Sequence, residues 1–282
     1  MHFTKLQGLG NDFVLVDARG KDCDWGQTAR LMCRLHFGIG ADGLLLLLPS
    51  EKADFRMRIF NPDGTEAEAC GNGLRCFVRY LSDNMLTNGT TLHIETMSGV
   101  RQAKLITENN AALIQVCMGQ PKFAPAAIPV NVAPEQGKMF DIMLGNYPLE
   151  IADIMMSLSF ISMGNPHAIH FTTEPVSDFP LSTIGPLITK HALFPRGTNF
   201  EVARVIDCNT IEMRVWERGA GETLACGSGA CASAIAAQLI GLSGDAADVL
   251  LPGGRARVQW NRGSDALLTG PAEPVFSGEW HT

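Results

Sequence analysis

Residues 58–73, RIFNPDGTEAEACGNG, align without a gap to residues 214–229, RVWERGAGETLACGSG, at an offset of 156. Arg58/Arg214, Glu66/Glu222, Ala69/Ala225, Cys70/Cys226, Gly71/Gly227 and Gly73/Gly229 are identical, and Ile59/Val215 and Phe60/Trp216 are chemically equivalent. Upstream, Gly10-Asn11-Asp12 matches Gly164-Asn165-Pro166 at offset 154, and a looser pair, His36…Asp42 and His191…Asn199, lies between. The matches keep their order and include a rare residue, cysteine, which argues against coincidence among glycine-rich turns. A period of this length exceeds that of stacked solenoid repeats. It constrains the chain to two structurally similar domains.

The prolines at 121, 125, 129 and 134 mark the natural linker between the halves. The first domain is therefore expected over residues 1–120, with a C-terminal strand near 270–282 returning to it, and the second over 121–269. Apolar residues make up 46% of the 282, enough for a sizeable core in each half. Strands are expected at Phe13–Asp17, Leu44–Leu48, Phe55–Phe60, Thr91–Thr96, Ala112–Met118, Leu158–Met163, Ala168–Phe171, Phe200–Val205, Ile211–Trp216 and Arg257–Trp260. Helices are expected at Gln27–Leu35, Gly73–Met85 and Gly229–Ile240. The last is built of Ala, Ser, Cys, Ile and Leu on nearly every side, so it must be buried centrally. Each half thus reads as strands wrapped around one helix that begins just after a Cys-Gly-x-Gly.

Several function classes drop out. Acidic residues outnumber basic ones 29 to 22, a formal charge of -7, and no basic run exists to track a phosphate backbone. The N-terminal decapeptide lacks a basic stretch followed by a long apolar one, and no apolar run approaches the ~20 residues that span a bilayer. A soluble, cytoplasmic protein without nucleic-acid or membrane partners is expected. The eight cysteines (23, 33, 70, 76, 117, 208, 226 and 231) are then thiols, and no two stand at C-x-x-C spacing, so no metal site is expected. Gly38-Ile-Gly40-Ala-Asp-Gly43 precedes an apolar strand, whereas a dinucleotide fingerprint follows one, and no phosphate-binding GxxxxGK[ST] is present. No lysine stands out for pyridoxal phosphate, and no cofactor is expected.

Cys70 and Cys226 each sit immediately before a helix start, in glycine-rich turns that allow close approach of a ligand. Free N–H groups of a first helical turn favour negative charge, which suits a carboxylate and is expected to lower a thiol pKa from ~8.5 toward neutrality. Two thiols, one per domain, are what stereoinversion at one carbon needs. One thiolate removes a proton, the opposite thiol delivers another, and each alternates between base and acid.

These motifs resemble the diaminopimelate epimerase family. The resemblance rests on Lys5-Leu-Gln-Gly-Leu-Gly-Asn-Asp-Phe13, Phe60-Asn-Pro-Asp-Gly64, Ala69-Cys-Gly-Asn-Gly73, Met163-Gly-Asn-Pro-His167, Glu217-Arg-Gly-Ala-Gly-Glu-Thr223, Ala225-Cys-Gly-Ser-Gly-Ala230 and Leu251-Pro-Gly-Gly254, in order along nearly the whole chain. It implies an α/β (α+β) fold of two pseudo-symmetric domains. Each would be a strongly curved, mostly antiparallel sheet around a central helix, with the active site in the cleft between them. It also implies cofactor-independent interconversion of LL- and meso-diaminopimelate, in lysine and cell-wall precursor synthesis.

By matching motif, Cys70 and Cys226 would be the acid/base pair, tuned by His167 and Glu217. Gly71-Asn72 and Gly227-Ser228 would bind the reacting carboxylate. Asn11, Asn61, Asn165 and Asn199 would hydrogen-bond the substrate's amino and carboxylate groups, and Glu217 and Arg218 would hold its distal end, the ammonium and the carboxylate respectively. Gly43 stands where some members carry a substrate-contacting Gln, and Leu267 where some place an aromatic dimer-interface residue; a homodimer is expected. Two rival readings remain at this level. One is a proline- or hydroxyproline-type racemase with the same cysteine pair, which the charged pair Glu217-Arg218 disfavours. The other is a non-catalytic amino-acid-binding protein.

Overall fold

The computed structural model describes residues 1–67, 70–108 and 111–281, with the backbone alone at Ala111. Ala69, and with it the Ala69/Ala225 match and the first residue of the Ala69–Gly73 motif, lies outside the described residues, as does Thr282 of the expected C-terminal strand. The chain forms two compact units. One comprises Met1–Cys117 and the chain from Thr269 onward; the other is Met118–Leu268.

In chain order the elements up to the second unit are β1 His2–Gly8, β2 Asn11–Asp17, α1 Trp25–Met32, β3 Gly43–Leu48, β4 Phe55–Phe60, β5 Glu66–Ala67, α2 Gly71–Asp83, β6 Thr91–Thr96, β7 Gly99–Glu108 and β8 Ala111–Gly119. There follow β9 Lys138–Phe140, β10 Met143–Gly145, β11 Tyr147–Ile151, β12 Ile154–Ser162, β13 Pro166–Phe171, α3 Leu181–Thr189, β14 Asn199–Asp207, β15 Thr210–Glu217, β16 Gly221–Thr223, α4 Gly227–Leu239, β17 Ala246–Leu251 and β18 Gly254–Gln259. β19 Ala266–Pro271 leads back to the first unit, and β20 Glu273–Glu279 belongs to it.

The repeat in the sequence is a repeat in topology. In the first unit β1 and β2 are antiparallel, β2 and β3 parallel across α1, β3 and β4 antiparallel, and β4 and β6 parallel across α2, with β5 a short partner of β4. In the second, β12 and β13 are antiparallel, β13 and β14 parallel across α3, β14 and β15 antiparallel, and β15 and β17 parallel across α4, with β16 paired to β15. The register is kept too: Leu45 faces Ile59 as Glu201 faces Val215, and Phe13 faces Gly43 as His167 faces Asn199. Even an ion pair recurs, Arg58 Nε to Glu66 Oε1 at 2.7 Å and Arg214 Nε to Glu222 Oε1 at 2.8 Å.

The two thirteen-residue helices are the cores. α2 packs against β1, β2, β3, β4, β7 and β20, and buries Leu74, Cys76, Phe77, Val78, Tyr80 and Leu81. α4 packs against β12–β15, β17 and β18 and is buried without a break from Gly229 to Ala237. Its small residues let strands approach from every side, as an all-round apolar helix requires. A layer of Phe160, Phe200, Val202 and Ile184 fills the far face of the second unit's sheet. Among the described residues no helix is long and apolar enough to cross a membrane.

Candidate active site

Both cysteines are helix N-caps. Cys70 (φ -143°) and Cys226 (φ -123°) hold extended backbone, and each Sγ accepts a hydrogen bond from the N–H three residues on, Gly73 or Gly229, at 3.4 Å. A sulfur thereby takes the role that Ser or Asp oxygens usually play at a helix start, satisfying one of the free N–H groups there. Gly229 is required at its position because a Cβ would come within 2.7 Å of Glu201 Oε1.

In the first unit, Asn11 at the start of β2 reaches the turn before α2. Its Oδ1 accepts from Asn72 Nδ2 at 3.1 Å and lies 3.8 Å from Cys70 Sγ, and its Nδ2 donates to Asp42 Oδ2 at 2.7 Å. Asn72 is buried, and its Oδ1 accepts at 3.0 Å from Nη2 of Arg75, a fully buried arginine that also donates to Pro271 O. Asn61, in the turn after β4, spends its amide on Thr65 Oγ1 at 3.0 Å. Gly43 opens β3, where a Cβ would press on Phe60 O at 3.1 Å and the Phe13 ring at 3.3 Å. This position is the register equivalent of Asn199, so the two halves differ in what they offer there.

In the second unit, a chain of side chains converges on Cys226. Ser228 Oγ is 3.5 Å from Cys226 Sγ and accepts from Asn165 Nδ2 at 3.3 Å. Asn165 Oδ1 is 3.0 Å from His167 Nε2, and His167 Nδ1 is 2.6 Å from Glu201 Oε1. His167 and Glu201 are both fully buried. Glu217 accepts from Thr223 Oγ1 at 2.6 Å. Asn199 is committed to backbone: Nδ2 donates to Pro166 O, and Oδ1 accepts from the Arg218 N–H at 2.8 Å. It therefore fixes the strand end that carries Glu217 and Arg218. The exposed Arg218 guanidinium folds over Gly197 and donates to Arg196 O at 3.0 Å.

The electrostatics correct one sequence expectation. A helix N-terminus lowers a thiol pKa when solvent reaches it, but Cys226 is only 4% exposed. Burial pushes its thiol well above the usual range, the neighbouring Glu217 carboxylate pushes it further, and the bonds from Ser228 and Gly229 offset only part of this. Burial likewise raises Glu201, with His167 pulling the other way. Sequence reasoning missed Glu201. It stands in a mostly apolar strand, and the only signal was a charge at the register position where the other half has Leu45. Among the described residues no three His, Cys, Asp or Glu gather as a metal site.

Comparison with known proteins places these features in a family. The model of the diaminopimelate epimerase family matches residues 3–124 and 159–275. The chain is 46% identical to the diaminopimelate epimerase of Halothermothrix orenii over 283 residues, covering 99% of this chain and 97% of that one. It is 45% identical to that of Methanococcus maripaludis over 282 residues, covering 99% of each. Among solved structures, a PhzF-family phenazine biosynthesis protein of Bacillus anthracis superposes with a TM-score of 0.69 at 17% identity, covering 100% of this chain and 99% of that one. A hydroxyproline epimerase of Agrobacterium vitis gives 0.69 at 15% identity, covering 99% and 91%, and shows that the fold is shared with that group. With sequence identity near 45% end to end and a family model spanning both halves, the chain belongs to the diaminopimelate epimerase family, a family of isomerases.

Proposed function

We propose that this chain epimerises LL-2,6-diaminopimelate to meso-diaminopimelate without a cofactor, using Cys70 and Cys226 as a two-base thiol/thiolate pair. The observation that carries the reading is the pair of cysteines capping equivalent helices in two units of identical topology. One thiolate takes the α-proton: the Cα–H bond breaks and an S–H bond forms. The other thiol gives up its S–H proton to the opposite face of the carbanion, closing a new Cα–H bond. The negative charge that develops passes to the α-carboxylate, which the first-turn N–H groups of Gly71-Asn72 and Gly227-Ser228 hold. Donors placed in this way are worth roughly 3 kcal/mol each. Asn11, Asn61, Asn165 and Asn199 bind the substrate's polar groups, Asn199 also setting the backbone of Arg218, and Glu217 and Arg218 hold the distal ammonium and carboxylate. The place of action is the cytoplasm, in the supply of lysine and peptidoglycan precursors, and the working form is a homodimer.

Incubation with pure LL-diaminopimelate in deuterated water tests the reading. The expected result is meso product carrying deuterium at the inverted carbon. Turnover of proline or hydroxyproline with none of diaminopimelate would assign the thiols to a different substrate. Binding without exchange would make the chain a non-catalytic sensor.

A further inference from the structure

The two halves share topology, register and capping cysteines, but they differ beneath the cysteines. In the first unit the register positions on β2 and β3 hold Phe13 and Leu45, both buried and apolar. In the second unit the equivalent positions on β13 and β14 hold His167 and Glu201, fully buried and 2.6 Å apart. The fold is therefore satisfied by an apolar pair at this place, and a buried polar pair there is a departure that costs stability. Leu45 packs on Gly73 as Glu201 packs on Gly229, so the carboxyl lies directly against the first turn of α4.

The hydrogen bonds define the protons. His167 Nε2 faces Asn165 Oδ1, an acceptor, so Nε2 carries hydrogen. Nδ1 faces Glu201 Oε1 at 2.6 Å, so a second proton lies between them. Glu201 Oε2 is buried with no hydrogen-bond partner, a surrounding that a neutral carboxyl tolerates far better than a carboxylate. The arrangement is a one-way series of donors. Glu201 O–H points to His167 Nδ1, His167 Nε2–H to Asn165 Oδ1, Asn165 Nδ2–H to Ser228 Oγ, and Ser228 Oγ–H is left for Cys226 Sγ. We propose that Glu201 is a positioning residue: as the neutral acid it locks His167 in the Nε2–H tautomer and, through Asn165 and Ser228, aims a hydroxyl donor at Cys226 Sγ. This rests on the reading of Cys226 as an acid/base group. The charged or titratable groups near it are Glu217, His167 and Glu201 itself.

The test compares Glu201→Gln with Glu201→Leu, the latter copying the pair position of the first unit. Gln keeps an N–H donor to His167 Nδ1; Leu does not. Turnover is read as kcat and KM, and the thiol is read without turnover, as the rate of Cys226 alkylation by iodoacetamide against pH. Leu is expected to lower kcat at least tenfold with KM within threefold, and to slow alkylation because the sulfur loses its donor. Gln is expected to rescue both, with the Nε2–H tautomer of His167 retained in 15N-histidine NMR spectra. Faster alkylation in the Gln variant would mean that a negative charge had been removed, and would overturn the neutral-acid assignment. So would a Gln variant as impaired as Leu. If the Leu variant fails to fold, the Gln comparison alone decides between the two outcomes. Undiminished turnover by Cys226→Ala would refute the acid/base reading instead, and leaves the alkylation result interpretable.

Discussion

Replacing Cys226 by Ser or by Ala separates two roles that one sulfur performs. As an N-cap, Sγ accepts the Gly229 N–H at 3.4 Å, a long bond at the weak end of capping interactions. Losing a cap to Ala costs about 0.5–2 kcal/mol in stronger oxygen-capped helices. For this sulfur we expect about 1 kcal/mol, which for a unit of this size lowers Tm by about 2–4 °C. Ser restores an acceptor, so Cys226→Ser should melt within about a degree of wild type. Acid/base function should vanish in both, because a serine hydroxyl does not ionise near neutrality. A positioned acid or base contributes about 10²–10⁴-fold, or about 3–5 kcal/mol of barrier. Thermal melts paired with epimerisation rates read the two roles side by side, and Cys70→Ser and Cys70→Ala should behave alike through the Gly73 N–H. Serine variants that turn over within tenfold of wild type would refute the acid/base role. An alanine variant as stable as wild type would refute the cap.

Arg218→Ala should raise KM for diaminopimelate by about 10–150-fold, the range of a charge-assisted hydrogen bond of ~1.5–3 kcal/mol, while iodoacetamide reactivity of the thiols stays unchanged; an unaltered KM would place the distal end elsewhere. Stability should fall in alkali. Burial pushes Cys33 and Cys76 up to about 12 and raises Cys226, so the unfolded chain loses these protons first as pH climbs above about 9. Each thiol then removes up to about 1.4 kcal/mol per pH unit between pH 9 and 12, and Cys76→Ala should flatten the slope of urea-derived stability against pH by that amount.

The architecture around the two capped helices is legible because duplication supplies a second witness: a cysteine before a glycine-rich helix start means little once and much twice. Features that depend on tertiary context are not legible. α3 contains Gly185 and Pro186, which locally read as breakers, yet the glycine is there because a Cβ would strike Trp216 at 2.4 Å. β7 is largely exposed and lacks alternation, so it carries no period-2 signal. The alkaline shift of Cys226 is invisible in sequence because helix position and burial act in opposite directions, and only the packing decides between them. The bonds that Asn199 makes to the Pro166 and Arg218 backbone likewise have no signature in the sequence.

The return of β20 to β1 has a consequence for the order of assembly. Phe3 pairs with Gly278, and Met1 and Trp280 exchange backbone hydrogen bonds. The first unit is thus sewn from two stretches of chain, while the second is one unbroken stretch between Gln115 and Thr269, residues that hydrogen-bond to each other within the first unit. In an unstructured chain, bringing β1 to β20 closes a loop of about 270 residues; with the second unit already folded, about 120 residues of loop remain, and the closure costs about 0.7 kcal/mol less. Once the second unit has collapsed, Gln115 and Thr269, which flank it, are already neighbours, and β1 has only the first unit's own chain left to close. The second unit, one continuous stretch, is thereby favoured to fold before the first, whose β1–β20 pairing is the most non-local in the chain.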